Sequence, residues 1–248
     1  MNGGLAVPKS AEEFIEKSRP FLVYLKEWES ALTTLDLAEA MRAMQVSPER
    51  IAMVSVDMIN GFCCEGLLAS ERVRAIIPAI VALFQRAWDL GVTQFALVED
   101  HHSPDAVEFT DFGAHAVAGT SEAQTVAEIA SLPFAYLFTV VPKNSISPAH
   151  ETEFDRWLES LGDVKLFIAV GNCTDLCLYQ LAMHLKLRAN ARGLRQRIIV
   201  PADCAATYDM PVERAKDIGA MPHDGDLLNL LFLHHMCLNG VEVVKNVT

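Results

Sequence analysis

Apolar residues follow two alternating patterns along this chain: short continuous runs, and longer stretches with helical spacing. The short runs predict six buried strands, at residues 51–56, 94–98, 136–141, 166–170, 197–200 and 241–244. The longer stretches predict helices at 70–90, 151–161, 174–191 and 226–239. Pro78 lies inside the first of these, where it either kinks the helix or marks a later start.

The alternation of strands and helices predicts an α/β fold. We expect a three-layer α-β-α domain with a mostly parallel, roughly six-stranded sheet that helices cover on both faces. The first 49 residues stand outside this alternation and contain helix-forming segments without a candidate catalytic pattern. We therefore predict a helical N-terminal extension at residues 1–49 and one α/β domain at residues 50–248.

Composition narrows the possible partners and compartments. The 248 residues include 20 basic and 32 acidic residues, and the net charge of −12 argues against nucleic acid or an anionic membrane as a partner. The six cysteines show neither a small disulfide framework nor a paired CxxC zinc pattern, so we expect reduced thiols. No signal-peptide layout and no apolar run of transmembrane length is present. These features predict a cytoplasmic protein.

Polar residues follow four of the predicted strands at the point where each strand ends. Asp57 follows the first, residues 99–102 (EDHH) the second, Lys143 the third, and residues 171–177 (GNCTDLC) the fourth. The carboxyl ends of parallel strands meet at one edge of a sheet, and ligands bind there in open α/β folds. The sequence therefore predicts an active site at this edge.

Cys177 is the candidate nucleophile at this edge. It follows a buried strand and opens a predicted helix, with Thr174 as the expected N-cap. The first turn of a helix favours a thiolate over a thiol, and a strand-turn-helix junction is a common way to present a nucleophile. The alternative interpretation is that Cys177 is a small buried hydrophobic residue.

Asp57 and Lys143 complete a coherent catalytic set with Cys177. An aspartate at a strand end can accept the thiol proton and return it to a leaving group, while a lysine holds both groups in register. The backbone N–H groups of Cys173 and Cys177 are candidates for an oxyanion hole. Each residue alone has a structural explanation, as a turn residue or a surface charge. Together they favour an enzyme over a non-catalytic binding module, which has no need for all three.

Two segments carry a family resemblance. Residues 57–68 (DMINGFCCEGLL) resemble the nicotinamidase opening D-x-Q-N-D-F-C-x-x-G-x-L, with departures at Ile59 and Gly61. Residues 171–177 resemble G-V-A-T-D-x-C, whose final cysteine is the family nucleophile. From about residue 51 to residue 244, the chain resembles the isochorismatase-like cysteine hydrolases, and within them most closely the nicotinamidases.

The resemblance assigns roles to the same residues. It implies that Asp57 is the general base, Lys143 the family lysine and Cys177 the nucleophile. It also implies a cis peptide between Asn172 and Cys173, where Cys173 replaces the family alanine. The expected reaction is cleavage of a small-molecule carboxamide, converting nicotinamide to nicotinate and ammonia through a thioester. The family also implies a homo-oligomer, either a dimer or a tetramer.

A metal site follows from the resemblance as well. Asp100 and His102 match the D-W-H-P segment of nicotinamidases, and His115 in residues 112–120 (FGAHAVAGT) matches W-P-x-H-C-V-x-G-T. These residues would hold a divalent ion (Zn, Fe or Mn), with Glu108 as a further ligand, and no organic cofactor is expected. In the alternative interpretation, the histidines are polar loop residues that form hydrogen bonds near the site.

Phe62 and Phe112 match positions that flank the substrate ring in nicotinamidases, although packing in the core would explain them equally well. Two other reactions remain open. One is that of a metal-free relative acting on another amide, a ureido or a carbamoyl compound, since Ile59 departs from the family pattern. The other is hydrolysis of isochorismate, in which the Asp-x-His pattern and His115 would have no role.

Overall fold

The computed structural model of the protein describes residues 7–248, so residues 1–6 of the predicted extension lie outside the described residues. The chain divides into two compact units, one ending at Leu32 and the other spanning Thr33–Thr248. The first contains helix α1 (Ala11–Ser30), which begins after Ser10, whose hydroxyl accepts a hydrogen bond from the Glu13 amide. This division falls within the predicted extension, whose boundary at residue 49 stays a prediction.

The larger unit is built on a parallel sheet of seven strands. The main path runs β4-β3-β2-β5-β6-β8, with β7 beside the end of β5, while β1 and β9 form a separate parallel pair. The strands are β1 (Thr34–Leu35), β2 (Ile51–Val56), β3 (Gln94–Asp100), β4 (Phe138–Lys143), β5 (Leu166–Asn172), β6 (Arg197–Pro201), β7 (Ala205–Ala206), β8 (Glu242–Val244) and β9 (Asn246–Val247). The predicted α/β fold and all six predicted strands are confirmed.

Helices flank this sheet. They are α2 (Leu37–Met44), α3 (Asn60–Cys63), α4 (Glu71–Arg74), α5 (Ile77–Asp89), α6 (Phe109–Phe112), α7 (Ala127–Ala130), α8 (Phe154–Ser160), α9 (Cys177–Ala191), α10 (Val212–Ile218) and α11 (Gly225–Leu238). The predicted helix at 70–90 is two helices, because Pro78 occupies the first turn of α5, where its missing N–H costs nothing. Across residues 7–248, no helix combines the length and hydropathy needed to span a bilayer.

The start of α9 differs from the prediction. The helix begins at Cys177 and follows Leu176, so Thr174 is not its N-cap. The Thr174 hydroxyl lies 2.5 Å from Oδ1 of Asn229 in α11. The turn after β5 is therefore longer than the sequence suggested, and Cys177 is the first residue of the helix.

The central strands place the site residues. Every residue of β2 and β5 is buried, as expected for parallel strands that helices cover on both faces. Val56 at the end of β2 is in register with Gly171 in β5, and Asp100 at the end of β3 is in register with Lys143 in β4. The carboxyl ends of four adjacent strands therefore converge at one edge.

Gly171 allows β5 to approach β2 closely at this edge. Its φ angle is 120°, and a Cβ atom at this position would lie 2.0 Å from the main-chain oxygen of Val56. Neither the backbone conformation nor the space accommodates a side chain, so glycine is required where the chain leaves β5 for the turn before Cys177.

We predict that Gly171→Ala lowers the free energy of unfolding by roughly 3 kcal/mol, since it combines a left-handed backbone with a clash against main-chain atoms. The matched control is Gly193→Ala, because Gly193 also has a positive φ (65°) but no atom within 4 Å of its added Cβ. We expect the control to cost about 1 kcal/mol. Urea denaturation measures both values, and equal losses would contradict the clash.

Candidate active site

Lys143 lies at the centre of the site and joins three of the predicted residues. Its Nζ is 2.8 Å from Oδ2 of Asp57, 2.5 Å from Oδ1 of Asp100 and 3.6 Å from Sγ of Cys177. All four side chains are buried. The structure thus brings Asp57, Lys143 and Cys177 together, although they come from the ends of β2 and β4 and the start of α9, far apart in the sequence.

The two carboxylates make a buried lysine cation possible. Burial alone favours the neutral amine, but the charges of Asp100 and Asp57 raise the pKa of Lys143 well above its usual value. In return, Lys143 and His102 hold the pKa of Asp100 below its ordinary value, although burial opposes this. Lys143 and Asp100 therefore form an ion pair that stays charged at neutral pH.

Asp57 differs from Asp100 in its affinity for protons. Burial, and then the charge of Asp100, raise the pKa of Asp57 to about 7, against the opposing effects of Lys143 and of a hydrogen bond with Cys177. Two hydrogen bonds hold Asp57 in place. Oδ1 of its carboxyl accepts the backbone amide of Asp100 at 2.8 Å, and the side-chain Nδ2 of Asn172 donates to the main-chain carbonyl of Asp57 at 2.5 Å. A fixed carboxyl that exchanges protons near neutral pH is suited to general acid–base chemistry.

Cys177 is held as a thiol and not as the thiolate that its helix position suggested. Burial raises the pKa of Cys177 well above the usual value; Lys143 opposes this rise, while Asp57 and Asp100 add to it. The first turn of α9 does not outweigh these effects. Attack by this sulfur therefore needs a base, and Asp57 is the group in position to serve as one.

The turn before Cys177 presents free backbone donors. The structure contains a cis peptide between Asn172 and Cys173, at the bond that the resemblance implied. Within residues 7–248, neither the Cys173 amide nor the Cys177 amide donates a hydrogen bond, although both adjoin this turn. Two unpaired N–H groups beside a nucleophile can accommodate an oxyanion.

Asp100, His102 and His115 form a buried group whose ligand atoms all lie within 4.8 Å of one another. Nδ1 of His102 is 3.1 Å from Oδ1 of Asn144, and Nδ1 of His115 is 2.8 Å from the Gly113 carbonyl. These contacts leave each Nε2 facing Asp100, at 3.4 Å and 3.8 Å. Metal-binding histidines have this arrangement, with one nitrogen held by an acceptor and the other directed to the ion.

The donor set fits a first-row divalent metal. Nε2 of His102 is buried and makes no hydrogen bond, so a coordinating ion would satisfy it. Burial lowers the pKa of His102, but Asp100 and Asn144 raise it more, which indicates a local potential that favours a cation. One carboxylate and two imidazoles suit zinc, iron or manganese, and they leave coordination positions on the ion open for water or substrate.

Glu108 lies outside this group of three. Its Oε1 is nevertheless buried without a hydrogen-bond partner, and its charge contributes to the raised pKa of His102. Its place as a further ligand stays a prediction.

The family follows from sequence comparison. Residues 51–224, well over half of the chain, match the family model of the isochorismatase domain. The chain belongs to the isochorismatase family. A curated relative, nicotinamidase 1 of Arabidopsis thaliana, is 26% identical over 215 residues, which cover 80% of this chain and 86% of the relative.

Solved structures share the isochorismatase fold at lower identity. The N-carbamoylsarcosine amidase of Thermoplasma acidophilum is 22% identical with a TM-score of 0.59, covering 79% of this chain and 95% of that one. The pyrazinamidase of Pyrococcus horikoshii, crystallised in complex with zinc, is 20% identical with a TM-score of 0.61, covering 79% and 99%. Both neighbours support the fold assignment of this isochorismatase-family hydrolase.

Aromatic rings surround the histidines of this isochorismatase-family site. The centroids of Phe62 and Phe112 lie 5.6 Å and 6.4 Å from that of His115, so both predicted substrate residues are beside the site. Sequence analysis missed Phe109, which lies 5.4 Å from His102 and 5.6 Å from His115. Its position three residues before Phe112 was the available signal, because such residues share one face of a helix.

Sequence analysis also missed Asn144 and the orienting role of Asn172, which was predicted only as part of the cis peptide. Asn144 directly follows Lys143 and contacts Nδ1 of His102, while the side chain of Asn172 fixes the backbone at Asp57. Both lie at or just beyond a strand end, where the predicted site residues were also found. Their position was therefore visible in the sequence, but their partners were not.

We predict that the purified protein binds one divalent ion per chain and that His102→Ala weakens metal affinity by at least about 10- to 100-fold, since loss of a supporting residue alone has this effect. The control is His184→Ala, because His184 pairs with Asp155 on α8 and is not in the metal group. Elemental analysis after dialysis against a graded chelator measures the affinity. Equal metal retention by the two variants would contradict the assignment.

Proposed function

We propose that this protein hydrolyses the carboxamide of a small molecule through Cys177, with nicotinamide as the substrate and nicotinate and ammonia as products. One observation carries the proposal: Asp57, Lys143 and Cys177 meet beside two unpaired backbone amides. This arrangement supplies a nucleophile, a proton acceptor and an oxyanion site within one buried cluster.

In the first step, Asp57 accepts the thiol proton of Cys177 while Sγ forms a bond to the amide carbon. The carbonyl oxygen becomes an oxyanion that accepts hydrogen bonds from the Cys173 and Cys177 amides. The charge of Lys143 compensates for the negative charge that passes between the thiol and Asp57, because its Nζ contacts both groups. Asp57 suits this exchange because its pKa of about 7 is close to neutral pH.

In the second step, the C–N bond breaks and the nitrogen takes the proton from Asp57, so that ammonia leaves and a thioester remains on Cys177. Asp57 then accepts a proton from water as the water oxygen attacks the thioester carbon. The C–S bond breaks, the carboxylic acid is released, and the sulfur regains its proton from Asp57. The acid then ionises in solvent, and its proton converts the released ammonia to ammonium. The enzyme returns to its starting state, and every proton is accounted for.

Asp100, His102 and His115 are the residues that would hold a divalent ion beside this centre. When bound, such an ion supplies a Lewis acid that can orient a ring nitrogen or a water molecule. Phe62, Phe109 and Phe112 surround the same histidines and favour a flat aromatic substrate. The ring contacts and the curated nicotinamidase relative together support nicotinamide.

We predict that Cys177→Ala reduces ammonia release from nicotinamide by on the order of 10⁴-fold or more, because it removes the nucleophile. Cys173→Ala is the control, since it keeps the backbone amide, and we expect a change within about tenfold. Both variants should retain the circular dichroism spectrum of the wild type. An active Cys177→Ala enzyme paired with an inactive Cys173→Ala enzyme would reverse the assignment.

The substrate is tested separately from the nucleophile. We expect the wild-type protein to release ammonia from nicotinamide with saturation kinetics, measured by a coupled glutamate dehydrogenase assay. N-carbamoyl amino acids serve as the comparison, because a structural neighbour is an N-carbamoylsarcosine amidase. Turnover of the carbamoyl compounds without turnover of nicotinamide would replace the substrate but keep Cys177 as the nucleophile.

A further inference from the structure

A second cluster of polar side chains lies beside the nucleophile turn and has no part in the mechanism above. Oδ2 of Asp175 is 2.7 Å from Nε2 of His223, and only 7% and 10% of these side chains are exposed. Oδ1 of Asp175 also accepts the Thr207 hydroxyl at 2.6 Å. Asp175 therefore joins the turn to two later segments of the chain.

Both ring nitrogens of His223 face hydrogen-bond acceptors. Nδ1 is 3.0 Å from the carbonyl oxygen of Tyr208, and Nε2 faces the Asp175 carboxyl. A carbonyl oxygen cannot donate, and the Asp175 carboxyl already accepts the Thr207 hydroxyl through Oδ1. An imidazole with a proton on each nitrogen satisfies both of these acceptors. The Tyr208 ring stacks on it, with centroids 3.9 Å apart and planes 19° apart, which suits a cation.

The backbone holds His223 in this position. Its amide donates to the Met210 carbonyl at 2.8 Å, and its carbonyl accepts the Met210 amide at 2.7 Å. The stacked Tyr208 ring restricts the imidazole from one face. A side chain fixed by its backbone and by a packed ring can hold a partner in one orientation.

Asp175 occupies the middle of the turn that carries the oxyanion donors. It lies two residues after Cys173 and two residues before Cys177. The preceding residue, Thr174, contacts Asn229 of α11 through its side chain and donates its amide to the Ala206 carbonyl at 3.0 Å. The contacts of Thr174 and Asp175 therefore restrict the backbone between Cys173 and Cys177.

We propose that His223 is a positioning residue: as an imidazolium it holds Asp175 and thereby fixes the turn that presents the Cys173 and Cys177 amides and the Cys177 thiol. It also neutralises the charge of Asp175, which would otherwise oppose an oxyanion forming on the turn. This inference rests on the proposed function, because the amides matter only if the turn binds an oxyanion.

The kinetic test compares His223→Gln and Asp175→Asn with the wild type. Glutamine keeps a hydrogen-bond donor but no charge. We expect kcat to fall by about 10- to 100-fold in each variant, as for other residues that orient a reacting group, while KM changes by less than about threefold. The double variant should be no slower than the worse single variant, because both substitutions disrupt one interaction.

The matched control is His184→Gln. His184 pairs with Asp155 through Nε2 at 2.8 Å, which is nearly the distance between His223 and Asp175. However, His184 lies about two helical turns after Cys177 in α9, and the side chain of Asp155 is about half exposed. We expect this control to keep the wild-type kcat. A folded His223→Gln enzyme that also keeps the wild-type kcat would overturn the proposal.

A spectroscopic test does not depend on turnover. Nitrogen-15 NMR of the histidine rings in the wild-type protein at neutral pH should show both nitrogens of His223 protonated, with the resonance assigned by its loss in His223→Gln, or by its shift in Asp175→Asn if the glutamine variant does not fold. A neutral ring would overturn the proposal. Failure of every amide to react would instead defeat the proposed function and leave this result standing.

Discussion

The site depends on one buried cation between two carboxylates. Without Lys143, the ends of β2 and β3 would bring Asp57 and Asp100 together with no compensating charge, and one of them would have to stay protonated. With it, Asp100 remains charged toward the histidines while Asp57 exchanges protons with the thiol. The ammonium group of Lys143 thus allows Asp57 and Asp100 to differ in protonation. The register that pairs β4 with β3 sets the distances from Nζ of Lys143 to the two carboxylates.

The backbone around Cys177 meets a second constraint. β5 must approach β2 closely enough for Asn172 to hold the Asp57 backbone, and Gly171 is the residue that permits this approach. The chain then turns so that two amides stay unpaired beside the thiol, a costly state unless other contacts hold the turn. The contacts of Asp175 with His223 and Thr207 hold the turn, and they lie outside the cluster of Asp57, Lys143 and Cys177.

Much of this arrangement could be predicted from local sequence. The six main strands, the shared edge of the sheet and the residues Asp57, Lys143 and Cys177 follow from apolar runs that end in polar residues. Partners distant in sequence were not visible in this way, so no local pattern linked His223 to the turn before Cys177. The protonation state of Cys177 was also missed, because the local helix start was weighed without the burial and the carboxylates that outweigh it.

The position of β4 at the end of the sheet has a consequence for how the enzyme loses activity. Among residues 7–248, β4 pairs along one side only, with β3, and Pro142 cannot donate a hydrogen bond to that pairing. The residue that holds the whole charge cluster together is thus carried by a strand with a single neighbour. Local opening of this strand would withdraw the ammonium group while the rest of the sheet stayed folded, so inactivation by heat need not follow global unfolding. The ion pairs of Lys143 with Asp57 and Asp100 therefore also hold the edge strand β4 against the rest of the sheet.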